Sequence, residues 1–413
     1  MSTAILAVFV FVYLGMILGG LPFLQLDRTG IALLGAIALI AMEAVSLEEA
    51  WAAVHVPTLI LLFAFMVISA QLRLGGFYTF VTQRLTALPL SPPALLALLI
   101  VVVAALSAVF SNDIVCLAVA PVLIDACRER RLDPVPYLLA LACSANIGSA
   151  ATLIGNPQNM LIGERLELSF PGYLREAALP VVAGLVITWA VIVLATRRRW
   201  ERAVPGAYSN ERRVEAYTTF NRWQAVKGLS VAAFLFAAFL FTPWPRELLA
   251  LGGAGLLLMS RRLHSRHMLG LVDWQLLVLF VGLFVVNHAL EKTGLPAELV
   301  AALAREGIDL RSPMPLFFTT FVLSNLVSNV PAVMLLLPLA SHPMAGTLLA
   351  LASTLAGNLL IVGSIANIIV VEAAARHGIV IDWRRHARVG VPVTLLSLAC
   401  AGATLAWWGR AWA

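Results

Sequence analysis

Long stretches of this chain hold no charged side chain at all. Residues 94–110 read ALLALLIVVVAALSAVF, and similar runs recur along all 413 residues. Charged residues make up 12% of the chain and hydrophobic residues 61%, against about 25% and 45–50% in soluble domains. This composition leaves too few charges for a water-soluble surface, and it excludes a soluble enzyme, a nucleic-acid binder and a disordered chain. We therefore predict an all-α polytopic protein whose surroundings are a lipid bilayer.

The apolar runs are of two kinds, simple and interrupted. A membrane-spanning helix needs about 20 apolar residues. The predicted simple spans are 3–23, 30–46, 55–71, 174–196, 224–242, 246–260, 272–290 and 388–409. Four further runs carry polar residues in their middle, which a bilayer tolerates only where protein or a wet cavity satisfies the backbone. We predict that 92–127 and 313–341 are re-entrant hairpins, and that 135–163 and 344–375 are broken spanning helices.

The basic residues provide a test of these spans, because Lys and Arg concentrate in the cytoplasmic loops of membrane proteins. With the basic segment 197–227 placed inside, 21 of the 28 Lys and Arg residues fall on that face. The outer loop 43–54 carries three glutamates and no basic residue. The charges thus favour a multi-pass inner-membrane protein with ten crossings and two hairpins, and with both termini outside.

The chain also repeats itself, at an offset of 217 residues in the hairpins and of 208 in the broken helices. The recurring residues are Ser111, Asn112 and Pro121 with Ser328, Asn329 and Pro338, and Gly155, Asn159 and Glu164 with Gly363, Asn367 and Glu372. Residues 72–77 also resemble 290–295, and a short amphipathic stretch follows each. Five crossings per half would insert the halves in opposite orientations. We therefore predict inverted repeats over 1–196 and 224–413 and a basic cytoplasmic linker over 197–223, a pattern typical of secondary transporters.

Asp113 is the one acid in the middle of a predicted hairpin. A carboxylate at bilayer depth costs on the order of 2.5–3.5 kcal/mol, so an acid in this position indicates function. Asp113 could bind a proton or a sodium ion, or it could hydrogen-bond the exposed backbone of the hairpin tip. Asn112 and Asn329 head the half-helices that follow the two tips, where their side chains can cap free N–H groups or coordinate a cation.

The broken helices supply uncharged donors and acceptors. Each of these side chains alone would be explained by packing between helices, but as two symmetric clusters they predict a binding site. With the turn glycines they are Asn146, Gly148, Thr152, Gly155, Asn156, Gln158, Asn159, Asn358, Gly363, Ser364 and Asn367. Glu164 and Glu372 fall at helix ends, where we expect them to be solvated or to cap the helix. The sequence has no Walker A, HExxH or GxSxG pattern, and we expect neither ATP-driven transport, nor hydrolysis, nor a cofactor.

These motifs resemble the ion transporter superfamily, which includes arsenite/antimonite permeases, NhaD-type sodium/proton antiporters, citrate carriers and divalent anion:sodium symporters. The resemblance covers essentially the whole chain. It runs through 111–113, 144–148, 152–157, 328–329 and 363–367. It implies a scaffold domain and a mobile transport domain that work as an elevator, usually in a homodimer. Substrate would lie between a half-site of Ser111, Asn112 and the Gly155 turn and a half-site of Ser328, Asn329 and the Gly363 turn.

The hairpin tips depart from the divalent anion:sodium symporters, which carry Ser-Asn-Thr at both tips. Here Asp113 and Val330 stand at the third positions, and the Asn112-Asp113 pair is similar to the arsenite permease branch. An acid that faces the substrate repels an anion unless the acid is protonated or ion-bound. This favours proton coupling or a substrate that is neutral when bound, such as a metalloid hydroxide.

The function that we predict from this resemblance is secondary active transport of a small anion or oxyacid, coupled to protons or sodium. Sodium is a candidate ligand of Ser111, Asn112, Asp113, Ser328 and Asn329. A sodium/proton antiporter and a sodium-coupled di- or tricarboxylate symporter are the alternatives within the superfamily. An intramembrane enzyme would need several catalytic side chains at one depth, and only Asp113 qualifies.

The predicted topology puts 128–131 and 197–213 on the same, cytoplasmic face, because a hairpin returns the chain to the side it came from. Single cysteines Arg131→Cys and Arg202→Cys, in a background without the four native cysteines, should react with an impermeant maleimide only after the membrane is permeabilised. Glu49→Cys, in the predicted outer loop, should react in intact cells and is the control. Labelling of the first two positions from opposite faces would contradict the inverted arrangement.

Overall fold

The protein is described by a computed structural model that covers residues 2–20, 25–196, 200 and 219–412. Within these ranges it consists of α-helices, short 3-10 segments and loops, with a single bridge between Gly20 and Asp27 in place of any strand, so the all-helical prediction is confirmed. The helices of the first half are α1 (Ser2–Leu18), α2 (Arg28–Ala41), α3 (Leu47–Ala53), α4 (Val56–Leu74), α5 (Phe77–Thr86), α6 (Pro92–Val109), α7 (Asn112–Glu129), α8 (Pro134–Ser149), α9 (Pro157–Arg165) and α10 (Phe170–Thr196). Those of the second half are α11 (Arg222–Phe241), α12 (Arg246–Leu258), α13 (Ser265–Leu269), α14 (Trp274–Lys292), α15 (Leu295–Arg305), α16 (Pro313–Val327), α17 (Asn329–Leu336), α18 (Ala345–Ala356), α19 (Ile365–Arg376) and α20 (Trp383–Trp412).

Among the described residues, six helices are long and apolar enough to cross a membrane: α4, α6, α10, α11, α14 and α20. Five of them correspond to predicted simple spans. The sixth, α6, is an arm of the predicted hairpin 92–127, and its 18 residues rise about 27 Å, close to the thickness of a hydrocarbon core. The re-entrant character of this hairpin therefore stays a prediction.

Three predicted simple spans are shorter as helices than as apolar runs. The runs 3–23, 30–46 and 246–260 contain helices of 17, 14 and 13 residues, and residues 21–23 lie outside the described part. In the run 30–46, helix α2 ends before Glu43, because Glu43 takes a left-handed backbone conformation with φ 55° that cannot continue a right-handed helix. Apolar composition continues past the point at which the backbone turns.

Helices α6 and α7 form an antiparallel hairpin whose ends lie together. The guanidinium of Arg130, just after α7, donates to the carbonyls of Thr86, Leu88 and Leu90, just before α6, at 2.9, 3.0 and 2.9 Å. The chain thus leaves this hairpin on the side at which it entered, as predicted for 92–127.

Helix α8 runs beside α6 in the same direction. The Tyr137 hydroxyl donates to the Pro92 carbonyl at 3.2 Å near the start of both helices, and the Thr152 hydroxyl donates to the Ala108 carbonyl near their ends. A Cβ atom on Gly148 would lie 2.4 Å from Cα of Ala104, so only glycine fits at this contact. The interruption that follows α8 is thereby held against the end of the first hairpin arm.

The two halves show matching patterns of burial and backbone conformation. Four of the five residues that α2 buries have equivalents that α12 buries 218 positions later. They are Ala32, Gly35, Ala36 and Leu39, with Ala250, Gly253, Ala254 and Leu257. Gly76 and Gly294, also 218 residues apart, precede the amphipathic helices α5 and α15 with φ values of 68° and 75°. This is the internal equivalence expected of repeats, although most of the predicted linker 197–223 lies outside the described residues.

The halves also exchange helices. Helix α4 packs on α11 and α12 of the second half, and α14 packs on α1 and α2 of the first half. A buried polar contact marks each interface: Gln71 donates to Oε1 of Gln224 at 2.6 Å, and the Tyr13 hydroxyl donates to Oδ1 of Asn287 at 2.9 Å. The second half therefore completes its packing with α4 of the first half, and the first half completes its packing with α14 of the second.

The close contact at Gly148 predicts a marked loss of stability in Gly148→Ala. The new methyl group would overlap the backbone of Ala104, and overpacking of this kind costs about 1–3 kcal/mol. Gly255→Ala in α12 is the control, because a Cβ there meets nothing within 4 Å. Thermal unfolding of the purified protein in detergent should show a lower midpoint for Gly148→Ala alone, and equal midpoints would argue against this packing.

Candidate functional site

The two hairpin tips share their sequence but not their backbone conformation. Ser111 has φ −54° and ψ 129°, which any residue adopts, whereas Ser328 has φ 77° and ψ 161°, a region that suits glycine. Holding a serine there costs on the order of 1–3 kcal/mol. Such strain clusters at functional sites, and here it falls at a predicted half-site.

Asn146 in α8 connects the first tip to the second broken helix. Its Oδ1 accepts from Nδ2 of Asn112 at 3.0 Å and from the Ser364 hydroxyl at 2.9 Å. Its Nδ2 donates to Oδ1 of Asn358 at 2.9 Å and to Oδ1 of Asn367 at 3.1 Å. Asn146 is only 2% exposed, so these bonds form away from solvent. Five predicted site residues thus meet in one amide network.

Thr354 in α18 is the corresponding centre on the other side. Its hydroxyl accepts from Nδ2 of Asn156 and Nε2 of Gln158, both at 3.2 Å, and lies 3.4 Å from Oδ1 of Asn159. Sequence reasoning missed this residue, since a threonine in an apolar helix gives no signal of its own. Its position could have been found from the repeat, because Thr354 lies 208 residues after Asn146.

The contacts between the broken helices are reciprocal. When residue i of the first half touches residue j of the second, residue i + 208 touches residue j − 208. The pairs are Asn156–Thr354 with Ser364–Asn146, and Asn159–Thr354 with Asn367–Asn146. Such an exchange is what an approximate two-fold axis between the two interruptions produces.

Asn159 and Asn367 also serve the backbone of their own interruptions. Nδ2 of Asn159 donates to the Thr152 carbonyl at 2.9 Å and lies 3.5 Å from that of Ser149. Nδ2 of Asn367 donates to the carbonyls of Leu360 and Gly357, at the equivalent positions, at 3.0 and 2.7 Å. These two amides satisfy carbonyls that the broken helices leave exposed, so we assign them a supporting role beside the site.

The turn glycines allow close approach of the backbone at both interruptions. A Cβ on Gly155 would lie 2.2 Å from the Ser149 carbonyl oxygen. A Cβ on Gly363 would lie 3.4 Å from Oδ1 of Asn325, a residue of the second hairpin that sequence reasoning did not single out. The same Cβ on Gly155 would lie 2.8 Å from the Ser107 carbonyl oxygen of the first hairpin, so each turn lies against the hairpin of its own half.

Several buried polar atoms at the tips have no hydrogen-bond partner within the described residues. They are Oδ1 of Asn112, Asn325 and Asn329, Nδ2 of Asn358, and the hydroxyls of Ser107 and Ser324. The two serines are again 217 residues apart, four positions before each tip. An unpaired buried polar atom costs about 1–3 kcal/mol, so a concentration of them marks a place where a polar ligand is favoured.

Asp113 is half-buried on the first turn of α7. Among the hydrogen bonds and ion pairs of the described residues, none involves its carboxylate. The other side chains predicted for the site are all uncharged. Asp113 is thus the one charged side chain of the predicted set, next in sequence to Asn112 of the amide network.

Glu164 departs from expectation, because its side chain is only 8% exposed and pairs with Nε of Arg246 at 3.0 Å. The prediction that Glu164 is solvated or caps a helix is therefore wrong. Glu372 matches its prediction, since it is 60% exposed and lies 3.8 Å from Arg376, one turn along the same helix. The pairing of Glu164 depends on which helices of opposite halves meet, and no local sequence signal carries that information.

Comparison with known proteins gives consistent matches over the whole chain. The family model CitMHS, described as citrate transporter, matches residues 9–356. A 46 kDa membrane protein of Mycobacterium leprae is 29% identical, over 92% of this chain and 93% of its own length. The silicon efflux transporter LSI3 of Oryza sativa subsp. japonica is also 29% identical, over 92% of each chain. The crystal structure of the Alcanivorax borkumensis YdaH transporter shares the fold, with a TM-score of 0.59 over 100% of this chain and 98% of its own at 14% identity.

The amide network predicts that Asn146→Ala is far more damaging than an ordinary buried polar substitution. It would leave Nδ2 of Asn112 and the Oδ1 atoms of Asn358 and Asn367 without these partners, at about 1–3 kcal/mol for each unpaired group. Ser353→Ala is the control, because the Ser353 hydroxyl bonds only to carbonyls of its own helix. Thermal unfolding should show a large drop for Asn146→Ala and a small one for Ser353→Ala, and similar drops would mean that the network carries no special weight.

Proposed function

The chain belongs to the CitMHS citrate transporter family, and we propose that it transports a small anion or oxyacid, bound in its neutral, hydroxylated form and coupled to protons. The family and its relatives establish a membrane transporter. Substrate, coupling ion and mechanism are our proposal. The observation that carries it is the network around Asn146, which joins uncharged amides and a hydroxyl from both halves. Asp113 follows Asn112 of this network in the sequence, and its carboxylate has no hydrogen bond or ion pair among the described residues.

The chemistry of these side chains favours a neutral ligand rich in hydroxyl groups. Amides and hydroxyls both donate and accept, as do the hydroxyls of an uncharged oxyacid. A multiply charged carboxylate would instead call for arginine or lysine, and a nearby ionised acid would repel it. Similarity to a rice protein named silicon efflux transporter supports a substrate of the hydroxylated kind.

Asp113 is the proposed coupling group. When the Asp113 carboxyl is protonated, it presents one hydrogen-bond donor and no charge to the substrate. When it is ionised, its negative charge attracts a proton or a cation back to the site. A proton gradient can drive transport only if the protonation states differ in their preference for the two orientations of the carrier. The half-buried position of Asp113 at a hairpin tip, next to Asn112 of the amide network, supports this role.

Sodium coupling is the second candidate, and it rests on a specific feature of the tips. The unpaired Oδ1 atoms of Asn112 and Asn329 are hard oxygen donors of the kind that alkali and alkaline-earth cations prefer. With Ser111, Asp113 and Ser328 they would form a sodium site. A sodium/proton antiporter and a sodium-coupled carboxylate symporter share this feature, and the flux experiment below distinguishes them.

The mechanism that we propose is an elevator. The hairpins and broken helices would move as a transport domain against a scaffold built from the first long helices of both halves. The exchange of α4 and α14 between halves supports a scaffold that packs as one unit. We further propose a homodimer in the inner membrane with both termini outside, on the basis of the resemblance and of the charge distribution.

The proposal predicts which gradients and substrates give flux in proteoliposomes. Under an imposed pH gradient, arsenite should accumulate, whereas phosphate, sulfate, citrate and succinate should not, and sodium should have no effect. Accumulation of citrate or succinate driven by sodium would instead support the carboxylate symporter. Sodium flux coupled to protons without any oxyacid would support the antiporter.

Asp113→Asn should abolish gradient-driven accumulation of arsenite while exchange of arsenite across the membrane persists, because the amide cannot take up and release a proton as a carboxyl group does. Asp125→Asn is the control on the same helix, where an exposed carboxylate lies 4.0 Å from Arg128. Accumulation that survives in Asp113→Asn at the level of Asp125→Asn would show that the coupling residue is elsewhere.

A further inference from the structure

The ion pair between Glu164 and Arg246 joins the two halves of the chain. Arg246 is the first residue of α12, and Glu164 lies at the end of α9, beyond the first interruption. The Arg246 guanidinium lies 3.0 Å from the Glu164 carboxylate and donates to the Gly163 carbonyl at 2.9 Å. The two side chains are only 15% and 8% exposed. In terms of the elevator, a charged contact ties the proposed transport domain to the scaffold.

Both partners of this pair have equivalents in the opposite half. Arg28 is the first residue of α2, 218 positions before Arg246, and four of the five residues that α2 buries have buried equivalents in α12. Glu372 lies in α19, 208 positions after Glu164. When each segment is shifted by its own offset, 208 for the broken helices and 218 for α2 and α12, the equivalent of the Glu164–Arg246 pair is Glu372 with Arg28.

The structure shows one of these two pairs and not the other. Glu372 is 60% exposed and reaches only Arg376 of its own helix. Nε of Arg28 is buried and has no hydrogen-bond partner or ion pair within the described residues. Nη1 of Arg246 also has no hydrogen-bond partner there, but Nε of Arg246 lies 3.0 Å from the Glu164 carboxylate. By the charge topology, Glu164 and Arg246 lie at the outer face, whereas Arg28 and Glu372 lie at the inner face. Two equivalent contacts on opposite faces are thus found in opposite states.

We propose that the two pairs form an alternating latch: Arg246–Glu164 closes in the state described here, and Arg28–Glu372 closes in the opposite-facing state. This inference rests on the proposed elevator function. In a carrier built from inverted repeats, each half can take the conformation that the other half has, and that exchange turns the access pathway around. When the halves exchange conformations, Arg28 and Glu372 take the paired geometry of Arg246 and Glu164, and Arg246 and Glu164 separate.

The latch has a physical purpose in the carrier. A contact made in only one state stabilises that state, so two contacts, one per state, keep both populated. A single permanent contact would hold the carrier on one side. The pair Lys292–Glu49 is the useful contrast, since it joins α14 to α3 within the proposed scaffold, at 2.6 Å and with side chains 38% and 41% exposed. It has no reason to change between states.

Cross-linking tests this directly. In a background without the four native cysteines, the double variants Arg246→Cys/Glu164→Cys and Arg28→Cys/Glu372→Cys are oxidised in membranes. A protease site inserted within 201–218 reports the cross-link, because only a disulfide keeps the cut halves together on a gel. We expect both pairs to cross-link, although the second pair is apart in this structure. Failure of the second pair to cross-link in membranes where the first does would overturn the latch.

Shifting the balance between states sharpens the test. Glu164→Gln removes the charge that attracts Arg246 and so weakens the outer pair, and the rate of cross-linking between Arg28→Cys and Glu372→Cys should rise roughly ten-fold. Glu49→Gln is the matched control and should leave that rate unchanged. The charge swap Glu164→Arg/Arg246→Glu should return the rate toward that of the unsubstituted pair. Equal rates in Glu164→Gln and Glu49→Gln would overturn the proposal.

Cross-linking and flux fail independently. The cross-links need no substrate, so their expected pattern without arsenite transport would contradict the substrate assignment and leave the latch standing. Arsenite transport in liposomes where Arg28→Cys and Glu372→Cys never cross-link would contradict the latch alone.

Discussion

A backbone carbonyl inside a bilayer must have a donor, and the interrupted helices of this protein expose several. Asn159 and Asn367 meet that demand from the helices that follow each break, with the same two bonds in each half. Because the breaks are stabilised from within, they can face each other across the centre of the protein. The amide network around Asn146 and Thr354 depends on this arrangement, and so does every candidate ligand contact.

Symmetry explains the contacts at the centre, and departures from it mark where the two halves do different work. The reciprocal bonds between the broken helices are nearly symmetric, whereas the tips differ in backbone conformation and the peripheral ion pairs differ in state. A carrier with two related end states needs symmetric contacts at its centre, here between the broken helices, and contacts at its periphery that differ between the halves. The proposed latch rests on that difference, since Arg246 pairs with Glu164 whereas Glu372 reaches only Arg376 of its own helix.

The sequence predicted the parts of the site that interrupt apolar runs, because a polar residue at bilayer depth is conspicuous. Asn112, Asn146, Ser364 and Asn367 were found in this way, and the structure brings them together. Thr354 and the pairing of Glu164 were not found, since a threonine in an apolar helix is ordinary and an ion pair depends on tertiary contact. The lengths of α2 and α12 were missed for a related reason, because hydropathy does not show where the backbone turns.

The central claim is that a neutral oxyacid binds between the two hairpin tips. A crystal structure with arsenite, in which the anomalous scattering of arsenic fixes its position, tests this most directly. We predict that the arsenic lies between the tips, with hydroxyl groups of arsenite donating to Oδ1 of Asn112 and to Oδ1 of Asn329. Arsenic bound away from both tips, or none under conditions in which arsenite is transported, would contradict it.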